Sequence, residues 1–365
     1  MAVPAFDPKE LEVVREVPPR VEGFPPTVHF ATPVSYKEGY KAMLSRQAIW
    51  QPAGLETTNF CPKINPENIA RAFVIDANTT SGAFVNAEHG GGPDFFGIEW
   101  EYVAQAGGSI VRPGEPLLAD ANDWKEKLVW PDLKSWDWAG SAELNKEYLS
   151  TTNYVNLWIL NGFWFERLIS FMDFEGALMA LYDEDQKEAV LELFDKLADL
   201  AIELIDLSVE YFPEIDGICI HDDWGAQKET FFSPDLVAEM IVPSMKKVVD
   251  HIHAKGRFAE LHSCGNIIKQ VPNMIACGWD HWSPQTMNDT QLIYELYGDK
   301  IITSVIPDNA AGIWQLSEDE QKAAAQAYAD KFCKPGKPSY LSGVGRNPVA
   351  FRTALYQASR ENYSK

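Results

Sequence analysis

The strongest constraint on this chain is a rhythm in its second half. From about residue 200 onward, short apolar runs that read as strands alternate with amphipathic runs that read as helices. The pattern predicts strands over 217–221, 257–262, 280–282, 300–306 and 339–342. It predicts helices over 183–211, 233–255, 267–276, 289–297, 318–333 and 349–360, with Pro234 in a first turn and Gly278 closing a helix. Strict alternation requires a parallel sheet, because each return to the same sheet edge needs a crossover helix. No Gly-x-Gly-x-x-Gly opens any of these helices, which turns the expectation away from a dinucleotide-binding sheet. The expected fold class is therefore α/β, a (β/α)8 TIM-like barrel.

The first half is less regular. Residues 1–35 read as an N-terminal extension and 36–365 as the barrel. A short helix is expected at 36–46, a strand at 72–76 and a loop at 78–89. The glycines at 90–92 disfavour regular structure, and Trp100, Trp124, Trp130, Trp136 and Trp138 follow within an aromatic, Pro- and Gly-containing stretch. The region of about 88–140 is expected to be an irregular, aromatic-rich lid insertion, since long loops in compact domains are usually functional.

In a (β/α) barrel the chemistry sits at the C-terminal ends of the strands. Those ends read His221-Asp222-Asp223-Trp224-Gly225, Glu260-Leu261-His262-Ser263-Cys264-Gly265-Asn266, Trp282-Ser283-Pro284-Gln285, Pro307-Asp308-Asn309 and Gly343-Val344-Gly345-Arg346-Asn347. Glu260, His262 and Cys264 are evenly spaced, which on a strand puts them on one face. A carboxylate, an imidazole and a thiol together make an edge that a divalent metal, zinc first, would accept. The other reading of His221-Asp222-Asp223 is a loop held by side-chain bonds to backbone. Adjacent carboxylates point in different directions, so at most one of Asp222 and Asp223 reaches the chemistry.

His251 and His253 lie at a helix C-terminus, where cations suit the dipole, and are read as structural. His281 is read as a packing residue, and His89 is left open. Cys277 and Cys333 fall at helix ends on the face away from the site, Cys219 reads as a buried strand residue, and Cys61 is unassigned.

Acidic residues outnumber basic ones 53 to 31, a net charge of -22, which argues against nucleic acid and anionic membrane surfaces as partners. No run of about 18 apolar residues predicts a membrane span, and residues 1–20 lack the apolar core of an export signal. Five scattered cysteines suit reduced thiols, so a cytoplasmic protein is expected.

On these motifs the chain resembles the uroporphyrinogen decarboxylase superfamily, which holds both the decarboxylase and zinc-dependent, cobamide-linked methyltransferases. The matching pieces are Arg46-Gln47-Ala48, His221 to Gly225, His262-Ser263-Cys264-Gly265-Asn266, Pro284-Gln285 and Asp308. The resemblance implies zinc held by His262 and Cys264, its shell completed with oxygen or nitrogen from Glu260 first, or from Asp222, Asp223 or His221. It implies catalytic roles for His221, Asp222 and Asp223, and substrate contacts from Arg46, Trp224, Gln285 and Asp308. The methyltransferases' later zinc cysteine falls here near Gly343-Val344, where no Cys stands. A shell with fewer thiolates makes a harder Lewis acid, suited to an oxygen substrate. The decarboxylase's Arg-Gln-Ala-Gly-Arg reads Arg46-Gln47-Ala48-Ile49-Trp50, without the second Arg that grips a polycarboxylate.

The resemblance thus implies a transferase that moves a methyl group from a small methylated substrate to the cobalt of a corrinoid-binding partner protein. An aromatic O-demethylase, acting on a methoxylated aromatic, fits the ring-rich cap best. A decarboxylase or lyase, and a non-catalytic ligand-binding barrel, are the alternatives. Which methyl donor is used, and whether the chain forms a homo-oligomer, stay open.

Overall fold

The computed structural model describes residues 3–17, 26–52, 57–79, 90–105, 107–151, 153–342 and 347–365. His89 and residues 343–346 lie outside the described residues, and with them the expectations placed there. Contacts group the chain into two units, Met1–Thr58 with Asn153–Val155 and Asp280–Lys365, and Asn59–Thr152 with Asn156–Trp279.

The second unit is built on three parallel strands, β1 (Val155–Asn161), β2 (Gly217–His221) and β3 (Phe258–His262). Their register aligns Ile159 with Cys219 and Cys219 with Glu260, and Thr57–Phe60 lies beside β1. β2 and β3 fall where the periodicity places them. No element is expected above at β1, or at the helix α1 that follows it (Phe165–Tyr182). β1 is buried at every position, so its sequence Val-Asn-Leu-Trp-Ile-Leu-Asn shows no alternation to read. Its two asparagines are satisfied internally: Asn156 donates to the carbonyls of Leu149 and Glu214, and Asn161 to Asn68. Leu157, Ile159 and Cys219 pack with Cys61 and Ile75 in a core cluster.

Helix α1 kinks at Asp173, a non-glycine residue at φ 62°, whose carboxylate accepts from the Gly176 N–H and restarts the helix. The helix expected at 183–211 runs Lys187–Tyr211. The single helix expected at 233–255 is two, Pro234–Met240 and Val242–Ala254, because Pro243 cannot continue the first hydrogen-bond ladder. The expected strand at 72–76 is only a bridge between Cys61 and Ile75.

The 88–140 region is not irregular. Gly92–Pro93, Glu99–Val103 and Gly108–Val111 form a small antiparallel sheet, and short helical turns follow. Trp100, Trp124 and Trp138 are buried, with Trp138 stacked between Trp136, Trp158 and Tyr211. These rings form a packed aromatic wall, which an expectation from composition alone could not distinguish from a lid.

In the first unit β4 (His281–Trp282), β5 (Ile302–Val305) and β6 (Tyr340–Leu341) pair in parallel in that order. The helices Thr290–Tyr297, Glu318–Phe332 and Val349–Tyr363 alternate with them, as expected. The N-terminal segment is more structured than its composition suggests. Val13–Val17 and Thr27–Phe30 form a hairpin, and Glu10 makes a buried ion pair with Arg360 at 2.6 Å and a hydrogen bond with Tyr356 at 2.7 Å. The architecture is α/β with parallel strands, as the rhythm predicts. No helix among the described residues is long and apolar enough to cross a membrane.

Candidate functional site

The site forms where β2 and β3 end together. Their register sets His221 opposite His262, and the two imidazoles stand 4.3 Å apart with a 38° tilt. The chain beyond β3 turns back at once, bringing the Cys264 thiol to 3.4 Å from His262 Nε2. From the loop after β2, Asp223 Oδ1 accepts the Cys264 backbone N–H at 2.7 Å. One ligand atom from each of Asp223, His262 and Cys264 lies within 4.8 Å of the others, the one such group among the described residues.

Gly265 makes this turn possible. It sits at φ 94°, and a Cβ there would lie 2.2 Å from the Gly225 carbonyl carbon. The two loops touch backbone to backbone, sealed by the Asn266 N–H donating to the Ala226 carbonyl at 2.8 Å. The Cys-Gly-Asn order in the motif is thus a packing requirement as well as a chemical one.

Of the candidates for the third position, the structure brings Asp223 and not Glu260 to His262 and Cys264. Glu260 is not in the converging group; it lies one turn of the pleat back from His262, and the carboxylate that meets His262 and Cys264 is Asp223. Burial pushes the Glu260 carboxyl up to about 8.

Asp222 and Asp223 part as their adjacency requires. Asp222 is fully buried, accepting from the backbone N–H of Glu166 at 2.9 Å and of Phe165 at 3.3 Å and from the Trp224 indole at 2.7 Å. It caps α1 from outside the helix, replacing the side-chain cap that Trp164 cannot supply. Burial and the nearby Glu166 push its carboxyl up to about 7. These three donors tie Asp222 to α1 and to Trp224, and it lies outside the group formed by Asp223, His262 and Cys264. Trp224, expected at the substrate, is likewise fully buried behind Asp222. His221 is held well below the usual imidazole range by burial, then by His262 and Arg71, so it is neutral near pH 7.

Arg46, Gln285 and Asp308 belong to the first unit. Arg46 donates to the Gly298 carbonyl at 2.9 Å from a positive-φ position, Gln285 accepts through its backbone carbonyl from Asn288, and the exposed Asp308 accepts from Gln291 at 2.7 Å.

The sequence reading missed two residues at the site. Glu166 accepts the Asp223 backbone N–H at 2.9 Å and pairs with Arg71 at 2.5 Å. Glu166 lies in α1 and Arg71 closes the short helix Pro66–Ala70, two elements the periodicity did not reveal. A carboxylate in the first turn of an apolar helix was the available signal.

Residues 167–303 match the family model described as Uroporphyrinogen decarboxylase (URO-D), a stretch that contains the β2 and β3 ends. Among solved structures, the chain is similar to a methyltransferase from Methanosarcina mazei, at 17% identity and a TM-score of 0.57, covering 90% of this chain and 99% of that one. At that identity the likeness shows the fold, and it agrees with the barrel class expected from the strand–helix rhythm. No curated protein matches the chain.

Proposed function

We propose that the protein is a methyltransferase that takes a methyl group from a small methylated substrate, a methoxylated aromatic first, and delivers it to the cobalt of a corrinoid carried by a partner protein. The observation that carries this reading is the convergence of Asp223, His262 and Cys264 within 4.8 Å at the strand ends. Carboxylate, imidazole and thiolate are a donor set that zinc accepts, and three protein ligands suit an open, catalytic site. Zinc bound there would supply a Lewis acid for a leaving oxygen.

The chain's own residues set the rest. When the methyl–oxygen bond breaks, the electron pair stays on oxygen, which must be stabilised and then protonated. His221 stands against His262 as a neutral ring and offers an N–H to that oxygen without adding charge beside the metal ligands. Asp223 is fixed by the Cys264 N–H, so its second oxygen is oriented before any ligand arrives.

The test mixes the protein with reduced cobalamin and a panel of methoxybenzenes, methanol and methylamines, and follows methylcobalamin by absorbance. A methoxylated aromatic is expected to give the fastest transfer. Faster turnover of methanol or a methylamine overturns the substrate class. No methylcobalamin from any donor, even with a cognate corrinoid protein, overturns the reaction. The URO-D match favours a decarboxylase as second reading, and carbon dioxide release from an aromatic or polycarboxylic acid panel would reveal it.

A further inference from the structure

We infer that Glu166, steered by Arg71, is the positioning residue that sets the Asp223 carboxylate against His262 and Cys264. The inference rests on the reading of those three residues as a metal centre. Asp223 is held from two sides: its backbone N–H donates to Glu166 Oε1 at 2.9 Å, and its own Oδ1 accepts the Cys264 N–H at 2.7 Å. Glu166 in turn is fixed at both ends. Its backbone N–H donates to Asp222 Oδ1 at 2.9 Å, and its other carboxylate oxygen pairs with Arg71 at 2.5 Å.

Arg71 is itself clamped. It pairs with Glu67 at 2.6 Å, and its guanidinium lies 4.5 Å from the Trp100 ring centroid. The chain passes close behind the pair at Gly162, φ 42°, where a Cβ would fall 2.8 Å from Arg71 Nη2 and 2.9 Å from Glu166 Cβ. The backbone at Gly162 thus closes one side of the pair. The loop after β2 and the loop after β3 are therefore joined through one carboxylate, and the carboxylate's place is dictated from α1. Such outer partners of ligands usually govern metal affinity by about 10–100-fold.

The experiment compares wild type, Glu166→Gln, Glu166→Leu and Asp94→Asn in two readouts. Asp94 pairs with Arg167, which shares Glu67 with Arg71, and touches neither Asp223 nor Cys264, so its variant reports destabilisation of the buried ion pairs with the Glu166 carboxylate left in place. The first readout is cobalt(II) titration of the full chain, followed through the thiolate-to-cobalt absorption. Glu166→Leu is expected to weaken binding about 10–100-fold. Glu166→Gln keeps an oxygen for the Asp223 N–H and is expected to fall between Glu166→Leu and wild type. Asp94→Asn is expected to lower the melting temperature and leave affinity within about twofold.

The second readout is the alkylation rate of Cys264 without metal, measurable because the other four cysteines are buried. It is expected to change severalfold in Glu166→Leu and not in Asp94→Asn. Wild type that binds no cobalt overturns the metal reading, and the alkylation rates then decide the positioning role by themselves. Equal effects of Glu166→Leu and Asp94→Asn, or a Glu166→Gln as damaged as Glu166→Leu, overturn the inference.

Discussion

Two charged clusters in the same unit are handled in opposite ways. Around Arg167 every charge has a counter-charge: the guanidinium pairs with Glu67 at 2.6 Å and Asp94 at 2.8 Å, all three fully buried, with Phe95 and Phe96 against its face. At the ends of β2 and β3, Asp223 and Cys264 converge with a backbone N–H and an imidazole between them, half-buried, and no arginine or lysine pairs with Asp223 among the described residues. A buried cluster that balances its own charge is architecture. A cluster that gathers electron-pair donors and leaves the positive charge out is what the proposed cation site requires.

The comparison breaks most visibly at Arg167. Arg167→Met leaves the buried Asp94 without its counter-charge and leaves Glu67 to Arg71 alone, and breaking such a pair costs about 3–5 kcal/mol. The urea midpoint is expected to fall accordingly, with the far-ultraviolet spectrum retained at zero urea. A midpoint unchanged from wild type would mean that the balanced cluster contributes nothing to stability, and the contrast would fail.

Cys264→Ala probes the other cluster and should reverse the pattern. Protein purified without chelators is expected to carry about one zinc per chain, and the variant little or none. In chelator-treated samples the two should melt within about 2 °C of each other, because a half-buried thiol supports little packing. Equal zinc in both proteins, or none in wild type, removes the metal reading.

The contrast also explains what the sequence could disclose. β2, β3 and the helices after them were legible because each buries one face and shows its period. β1 and α1 were not, since a strand covered on both faces has no period and α1 restarts at Asp173. His262 and Cys264 were legible as a pair through their even spacing at a strand end. Their third partner was legible only as one of four candidates, because Asp223 arrives from another loop while Glu260 satisfies the same-face spacing from within the strand. The split between Asp222 and Asp223 also depended on α1, whose uncapped first turn claims Asp222. Tryptophan content at 95–138 suggested a lid, yet stacking of Trp138 on Trp158 and Tyr211 uses the rings as wall.

Glu260 sharpens the comparison at its smallest scale, as a buried acid that belongs to neither cluster. Burial raises its carboxyl to about 8 in the folded chain, against 4.5 for the ordinary group. The proton is therefore held more tightly folded than unfolded. Its contribution to stability is fully present below about pH 4.5 and is lost as pH rises through about 8. Glu260→Gln removes the titration while keeping the shape. At pH 4 the variant and wild type should melt within about a degree, since both carry a largely neutral side chain folded and unfolded. At pH 9 wild type buries a carboxylate and the variant does not, so the variant should melt a few degrees higher, about 2–4 °C for each kcal/mol in a chain of this size. Thermal melts of both proteins at pH 4 and pH 9, in chelator, measure the difference. A variant that melts lower than wild type at pH 9 would place Glu260 among the charged groups that the fold compensates. It would then belong with Glu67 and Asp94 rather than apart from them.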